Sequence, residues 1–172
     1  IKNSSQRKSF PRTQSFYAQL MKGKEGESGN PFFYLSNSPW NIYFYLQAFM
    51  ERMNFPKGVM LLRDIGRDHG QGVSYLTDSK EVRIEMIFNM YPSMSFILIG
   101  DAAEADAPIY STLATKYPAQ VKAIFIRKVK SKKRNRRVQT LLHQSQVPAL
   151  LFGKIEEAVN FALKNDLILP VS

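Results

Sequence analysis

Five short apolar runs punctuate the chain: Pro31–Ser36, Val59–Arg63, Ser95–Gly100, Val121–Ile126 and Ala149–Phe152. Each is too short for a buried helix and, apart from Lys122 and polar residues at some run ends, is apolar, the pattern of strands covered on both faces. Between them lie stretches with helical spacing. Phe16, Tyr17, Leu20 and Met21 mark the first, and Ile42, Leu46, Phe49 and Met53 the second. Ile84, Ile87, Phe88 and Tyr91 follow, then Ile109, Leu113 and Tyr117, and last Ile155, Ala158, Val159 and Ala162. Strands separated by single helices give crossover connections and a mostly parallel sheet. The expected fold is therefore a three-layer, Rossmann-like α/β sheet with helices on both faces. At 172 residues it forms a single domain over 1–172.

Local signals set the expected boundaries. Gly23–Asn30 reads as a loop, and Ser38-Pro39 as the cap and first position of the second helix. Asp64–Thr77 is polar and contains glycine, so it reads as a loop with a short hairpin. Asp78 and Glu81 have capping-box spacing, and Pro92 stops the helix they open. A helix is expected from Pro108 to Tyr117, and Ser95–Gly100 is expected to be the most buried strand.

Charge and composition remove several classes of function. Cysteine is absent, which excludes disulfides, thiolate nucleophiles and Cys-based zinc sites and fits a cytoplasmic protein. The two histidines, His69 and His143, are far apart, so no multi-histidine metal site is available. No run of about 18 apolar residues crosses a membrane. The chain begins with Ile1 rather than Met and shows no leader, so an N-terminally truncated domain is expected. The net charge of +10 is concentrated in Arg127–Arg137. That run reads as a solvated loop, or as a peripheral contact with an anionic membrane. Nucleic acid is disfavoured, because no aromatic residues interleave with the charges.

In a parallel sheet the ligand site lies outside the carboxyl ends of the strands. The residues found there are Ser36-Asn37-Ser38, Arg63-Asp64, and Gly100-Asp101 followed by Asp106; Lys80 stands in the first turn of a helix. Each has a plainer explanation. Ser36 closes a strand, Ser38 caps a helix, Lys80 is a surface lysine, and Asp106 caps the next helix. Asp101 is harder to dismiss, since a carboxylate directly after a buried strand has no obvious helix to cap.

Their order is more telling than any one of them. A strand-end hydroxyl, a lysine, then strand-Gly-Asp-x4-Asp resembles the later motifs of haloacid dehalogenase phosphatases. Tyr34-Leu35-Ser36-Asn37-Ser38-Pro39-Trp40-Asn41-Ile42-Tyr43 resembles the Ser-x-Ser-Pro-Trp segment of the actin-patch-protein-type phosphatidate phosphatase catalytic domain family, in its bacterial-type form. Leu61–Asp64, Tyr91-Pro92, Phe96–Asp101, Pro108–Tyr110 and Ile126-Arg127 fit the same family in the same order.

The resemblance implies a magnesium-dependent phosphatase that works through an aspartyl-phosphate. It implies that Ser36 holds a phosphoryl oxygen, Lys80 offsets developing charge, Asn37 and Arg63 contact substrate, and Asp101 and Asp106 serve Mg2+. The implied substrate is a phosphomonoester, with phosphatidate as the family's example. Two departures stand out. The family's first motif, Asp-x-Asp-Asp-Thr, has no counterpart in the N-terminal third, where Ile1-Lys2 looks like its tail; the nucleophile and first strand are expected upstream. The family's Gly-Asp-Ser-Gly-Gln-x-Asp is here Gly100-Asp101-Ala102-Ala103-Glu104-Ala105-Asp106. A non-catalytic phosphate-binding or scaffolding relative is the alternative.

Overall fold

The computed structural model describes residues 12–27, 29–63 and 79–170. Ile1-Lys2, the Asp64–Thr77 loop with His69, and the Asp78 cap lie outside the described residues. The chain divides into two compact units, Ile1–Ser74 with Ala162–Ser172, and Tyr75–Phe161. The expected fold class is borne out: helices alternate with strands, and every strand pair is parallel. The strands are shared between two sheets rather than one, β1-β2 and β3-β4-β5.

In the first unit, α1 (Thr13–Lys22) is followed by β1 (Phe32–Pro39), a 3-10 turn (Trp40–Ile42), α2 (Tyr43–Arg52) and β2 (Gly58–Arg63). Phe16 and Leu20 bury the inner face of α1, and Leu167 and Ile168 are also buried. An aromatic cluster ties helix to strand: the Tyr17 ring stacks on Phe32 at 5.7 Å and meets Phe55 edge-on at 5.4 Å. The Tyr34 hydroxyl donates to the Pro56 carbonyl at 2.7 Å. Burial, then the neighbouring Tyr17, push its pKa above the ordinary tyrosine value. Gly58 is required by packing, since a Cβ there would lie 2.7 Å from that of Phe32.

Two expectations fail at β1. The strand continues through Ser38 and Pro39, so these residues do not open a helix; α2 starts at Tyr43 and has no side-chain cap. Nor is β1 buried on both faces, for its apolar run is only half-buried. The apolar stripe of α2 is likewise half-buried.

The second unit runs α3 (Lys80–Met90), β3 (Phe96–Asp101), α4 (Asp106–Lys116), β4 (Val121–Arg127), α5 (Lys132–His143) and β5 (Ala149–Phe152), and α6 (Ile155–Lys164) follows. Strand order in the sheet equals order in the chain. β4 is the centre of the core, with Ala123, Ile124, Phe125 and Ile126 fully buried. Phe88 of α3 stacks on Phe96 at 4.8 Å, Leu113 of α4 is buried, and Phe161 meets Phe125 edge-on at 5.3 Å.

β3, expected to be the most buried strand, is half-buried apart from Leu98. It is an edge strand of its sheet, whereas β4 has a neighbour on each side. The α3 cap is Ser79, whose hydroxyl accepts from the Val82 amide at 3.2 Å, one residue later than the expected capping box. α4 begins at Asp106, two residues before the expected start. The basic run is not a loop beyond Lys132: Ser131 caps α5, which buries Val138 and Leu142 and exposes Lys132, Lys133, Arg134, Arg136 and Arg137.

Candidate functional site

The carboxyl end of β3 turns directly into α4 through residues 101–106, and this turn gathers ionised groups. Asp101, the last residue of β3, folds the turn over its own side chain. Its Oδ1 accepts from the Ala103 amide at 2.8 Å and the Glu104 amide at 3.3 Å. Such Asx turns suit aspartate because a short acceptor can reach the backbone two residues on. Its Oδ2 accepts from the Arg127 guanidinium at 3.3 Å, across the register pair Asp101–Arg127 at the ends of β3 and β4.

Asp106, in the first turn of α4, does not act as the helix cap. Its carboxylate turns inward. One oxygen accepts from the Lys80 ammonium at 2.5 Å, and the other from the Asp101 backbone amide at 3.0 Å. Gly100 makes this possible, because a Cβ at that position would lie 2.6 Å from the Asp106 Cβ. Lys80 also donates to the half-exposed Glu104 at 3.1 Å. Burial drives the Lys80 pKa down, but the hydrogen bond and charge of Asp106, followed by those of Glu104, outweigh it and leave the pKa above the ordinary lysine value. Lys80 is thus a buried cation held by two acids, and not a surface lysine.

The turn is also gripped from α5, where the Arg134 guanidinium donates to the Ala103 carbonyl at 3.0 Å. Two cations, Lys80 and Arg127, pair with the three carboxylates Asp101, Glu104 and Asp106, and a third, Arg134, is held at the turn through the Ala103 carbonyl. Glu104 was given no role from the sequence, and Arg127 and Arg134 were read only as part of the basic run. The strand-end rule that finds Asp101 applies equally to Arg127, which closes β4; its place in a basic run disguised it.

Ser36, Asn37 and Arg63 belong to the other unit. β1 is irregular there: Leu35 pairs with Leu61 and Pro39 with Arg63, so β1 carries two more residues than β2 over this interval. The Ser36 hydroxyl accepts from the Ser38 amide at 3.1 Å, closing the irregularity. Bulges of this kind occur beside functional sites because they re-aim side chains. Ser36 is half-buried, while Asn37 and Arg63 are exposed.

The acids can be tested as magnesium ligands on their present partners. Among the described residues, no group of three or more His, Cys, Asp and Glu side chains is arranged to hold a metal ion. Asp106 is buried with both oxygens taken by protein donors. Asp101 is part-exposed, but its two oxygens also accept from the protein, from the Ala103 and Glu104 amides and from Arg127, so a magnesium ion held there would share or displace these donors; magnesium usually takes one or two carboxylates and keeps several waters.

Phosphatidate phosphatase APP1 of Saccharomyces cerevisiae (strain ATCC 204508 / S288c) is 35% identical over 99 residues, covering 56% of this chain and 16% of that protein. The chain thus matches only a small part of that relative's length. No solved structure matches it. Residues 1–128 match the family described as phosphatidate phosphatase APP1, catalytic domain, a stretch that takes in β1, Lys80, the 101–106 turn and Arg127 but stops before α5. With that match over most of its length, the chain belongs to the APP1 catalytic domain family.

Proposed function

We propose that the chain forms most of a magnesium-dependent phosphatase domain that hydrolyses a phosphomonoester, with phosphatidate as the substrate. The observation that carries this reading is the Lys80–Asp106–Asp101 array at the carboxyl end of β3 in a chain of this family. Ser36 donates its hydroxyl to a phosphoryl oxygen, and Asn37 and Arg63 add polar and cationic contacts beside it. Asp106 fixes the Lys80 ammonium and the Asp101 backbone, so their geometry is set before substrate arrives. Asp101 would hold Mg2+, which would offset phosphoryl charge when bound. The nucleophile is a carboxylate of an Asp-x-Asp motif upstream of residue 1. It forms a bond to phosphorus as the phosphorus–ester oxygen bond breaks and that oxygen takes a proton from the motif's second aspartate; water, returning a proton to that aspartate, then releases phosphate from the aspartyl ester.

The exposed cations of α5 support a further part of the reading: a cytoplasmic protein that meets an anionic membrane surface through 127–137. The test is phosphate release from phosphatidate by a protein carrying both this chain and an upstream Asp-x-Asp. Release that requires Mg2+ and is lost in Asp101→Asn is expected. No release from any phosphomonoester would overturn the catalytic reading.

One observation favours a second reading. Ala102 and Ala103 replace the hydroxyl and glycine of the family turn. A phosphate-binding relative without turnover fits this change. Calorimetric binding of a phosphomonoester, with no product formed by the extended protein, would establish it.

A further inference from the structure

Three large apolar residues follow β1 and face water. Trp40 is 58% exposed, Tyr43 38% and Phe44 81%. Scattered exposed apolar residues need no explanation, but a contiguous aromatic group does. The three stand at i, i+3 and i+4 across the 3-10 turn and the start of α2, the spacing that places side chains on one face. The Tyr43 amide donates to the Trp40 carbonyl, and the Tyr43 and Phe44 rings meet edge-on at 5.6 Å. The group is therefore held in place by the backbone.

We propose that Trp40, Tyr43 and Phe44 form a lip that enters the headgroup layer of an anionic bilayer, so that the substrate is drawn from a membrane rather than from solution. This rests on the lipid reading above. Three features select a bilayer as the occupant. Tryptophan and tyrosine rings pair an apolar body with a polar handle, the combination that collects at membrane interfaces. No charged residue occurs between Pro31 and Met50, so the lip itself carries no carboxylate or ammonium; the first acid along its helical face is Glu51, two turns after Phe44. Arg63, exposed at the end of β2, is the register partner of Pro39, the residue before Trp40, and supplies the cation that lipid phosphates attract. The lip begins four residues after Ser36, on the strand end proposed to bind the phosphoryl group. Among the described residues no helix is long and apolar enough to cross a membrane.

Trp40 is the sole tryptophan of the chain and reports on its own surroundings. The full chain is mixed with phosphatidylcholine vesicles, with and without phosphatidate, and followed by flotation and tryptophan emission. The expected result is flotation with phosphatidate vesicles, a blue-shifted Trp40 emission, and quenching by lipids brominated on their acyl chains. Phe44→Ser, with an unchanged unfolding midpoint, should lower vesicle binding at least about tenfold. Flotation with unshifted, unquenched emission overturns the lip, as does full binding by Phe44→Ser; both leave the lipid substrate standing. No flotation also overturns the lip, and phosphatidate hydrolysis in detergent micelles by the extended protein then judges the lipid reading separately.

Discussion

The Lys80 ammonium and the Asp106 carboxylate meet at 2.5 Å with both side chains 8% exposed, so each is the other's main compensation for leaving water. Removing one partner strands a buried charge, which typically costs about 3–5 kcal/mol. Lys80→Met and Asp106→Leu should each lower stability on this scale. The double variant should lose less than the sum of the two. Urea unfolding of the three variants measures the coupling, and simple additivity would contradict it.

Stability should also depend on alkaline pH. The pKa of Lys80 is raised above 10.5 in the folded state, through Asp106 and Glu104 against the opposing effect of burial. The folded state therefore holds this proton more tightly than the unfolded state does. Its contribution is full below the unfolded pKa and is lost as pH rises through the higher folded value. Chemical denaturation should show a decline setting in above about pH 10.5, and Lys80→Met should remove that part of the decline.

Gly100→Ala should act through Asp106. The added Cβ would lie 2.6 Å from the Asp106 Cβ and 2.7 Å from its Cγ, so the carboxylate or the turn must move. Overpacking of this sort costs about 1–3 kcal/mol. Gly29→Ala meets nothing within 4 Å and should stay within about 0.5 kcal/mol of the parent. Thermal unfolding of the pair separates a packing effect from a general glycine effect.

Replacing Lys132, Lys133, Arg136 and Arg137 by glutamine should weaken binding to anionic vesicles without disturbing the fold, since Val138 and Leu142 seat the helix. Each cation near such a surface is worth about 1 kcal/mol, so four amount to roughly a thousandfold at low salt. The difference should shrink as salt is added. Arg134 is kept, because it holds the Ala103 carbonyl. Sedimentation with vesicles at two ionic strengths gives both numbers.

How much of this was legible depended on whether a signal was local. Of the residues that helix spacing marked, Phe16, Leu20, Ile84, Phe88 and Leu113 are buried, whereas Ile42, Leu46, Phe49 and Met53 are half-buried and Tyr91 is exposed. Strand positions could be read, but burial rank could not. It depends on sheet order, which placed β3 at an edge and β4 at the centre, although Lys122 makes β4 look less apolar. Ser38-Pro39 carried the local chemistry of a helix start, yet pairing with β2 kept those residues extended as far as the Pro39–Arg63 partner. Asp101, Asp106 and Lys80 were singled out from their order along the chain. That Asp106 reaches back to Lys80 and to the Asp101 amide is a contact across 26 and 5 residues, which periodicity does not encode. The basic run hid two different parts: Arg127, which ends β4 and pairs with Asp101, and a capped helix whose Arg134 grips the turn.

The equality of strand order and chain order in β3-β4-β5 bears on how that unit comes into being. Each new strand needs only the edge left by the one before it, and a single helix separates the two, so each closure spans a short loop with a small entropy cost. Assembly can proceed by accretion, in the direction in which a ribosome releases the chain. Pulse-labelled hydrogen exchange should then find β3 and β4 amides protected no later than those of β5. The reverse order would show that the sheet forms by a different route.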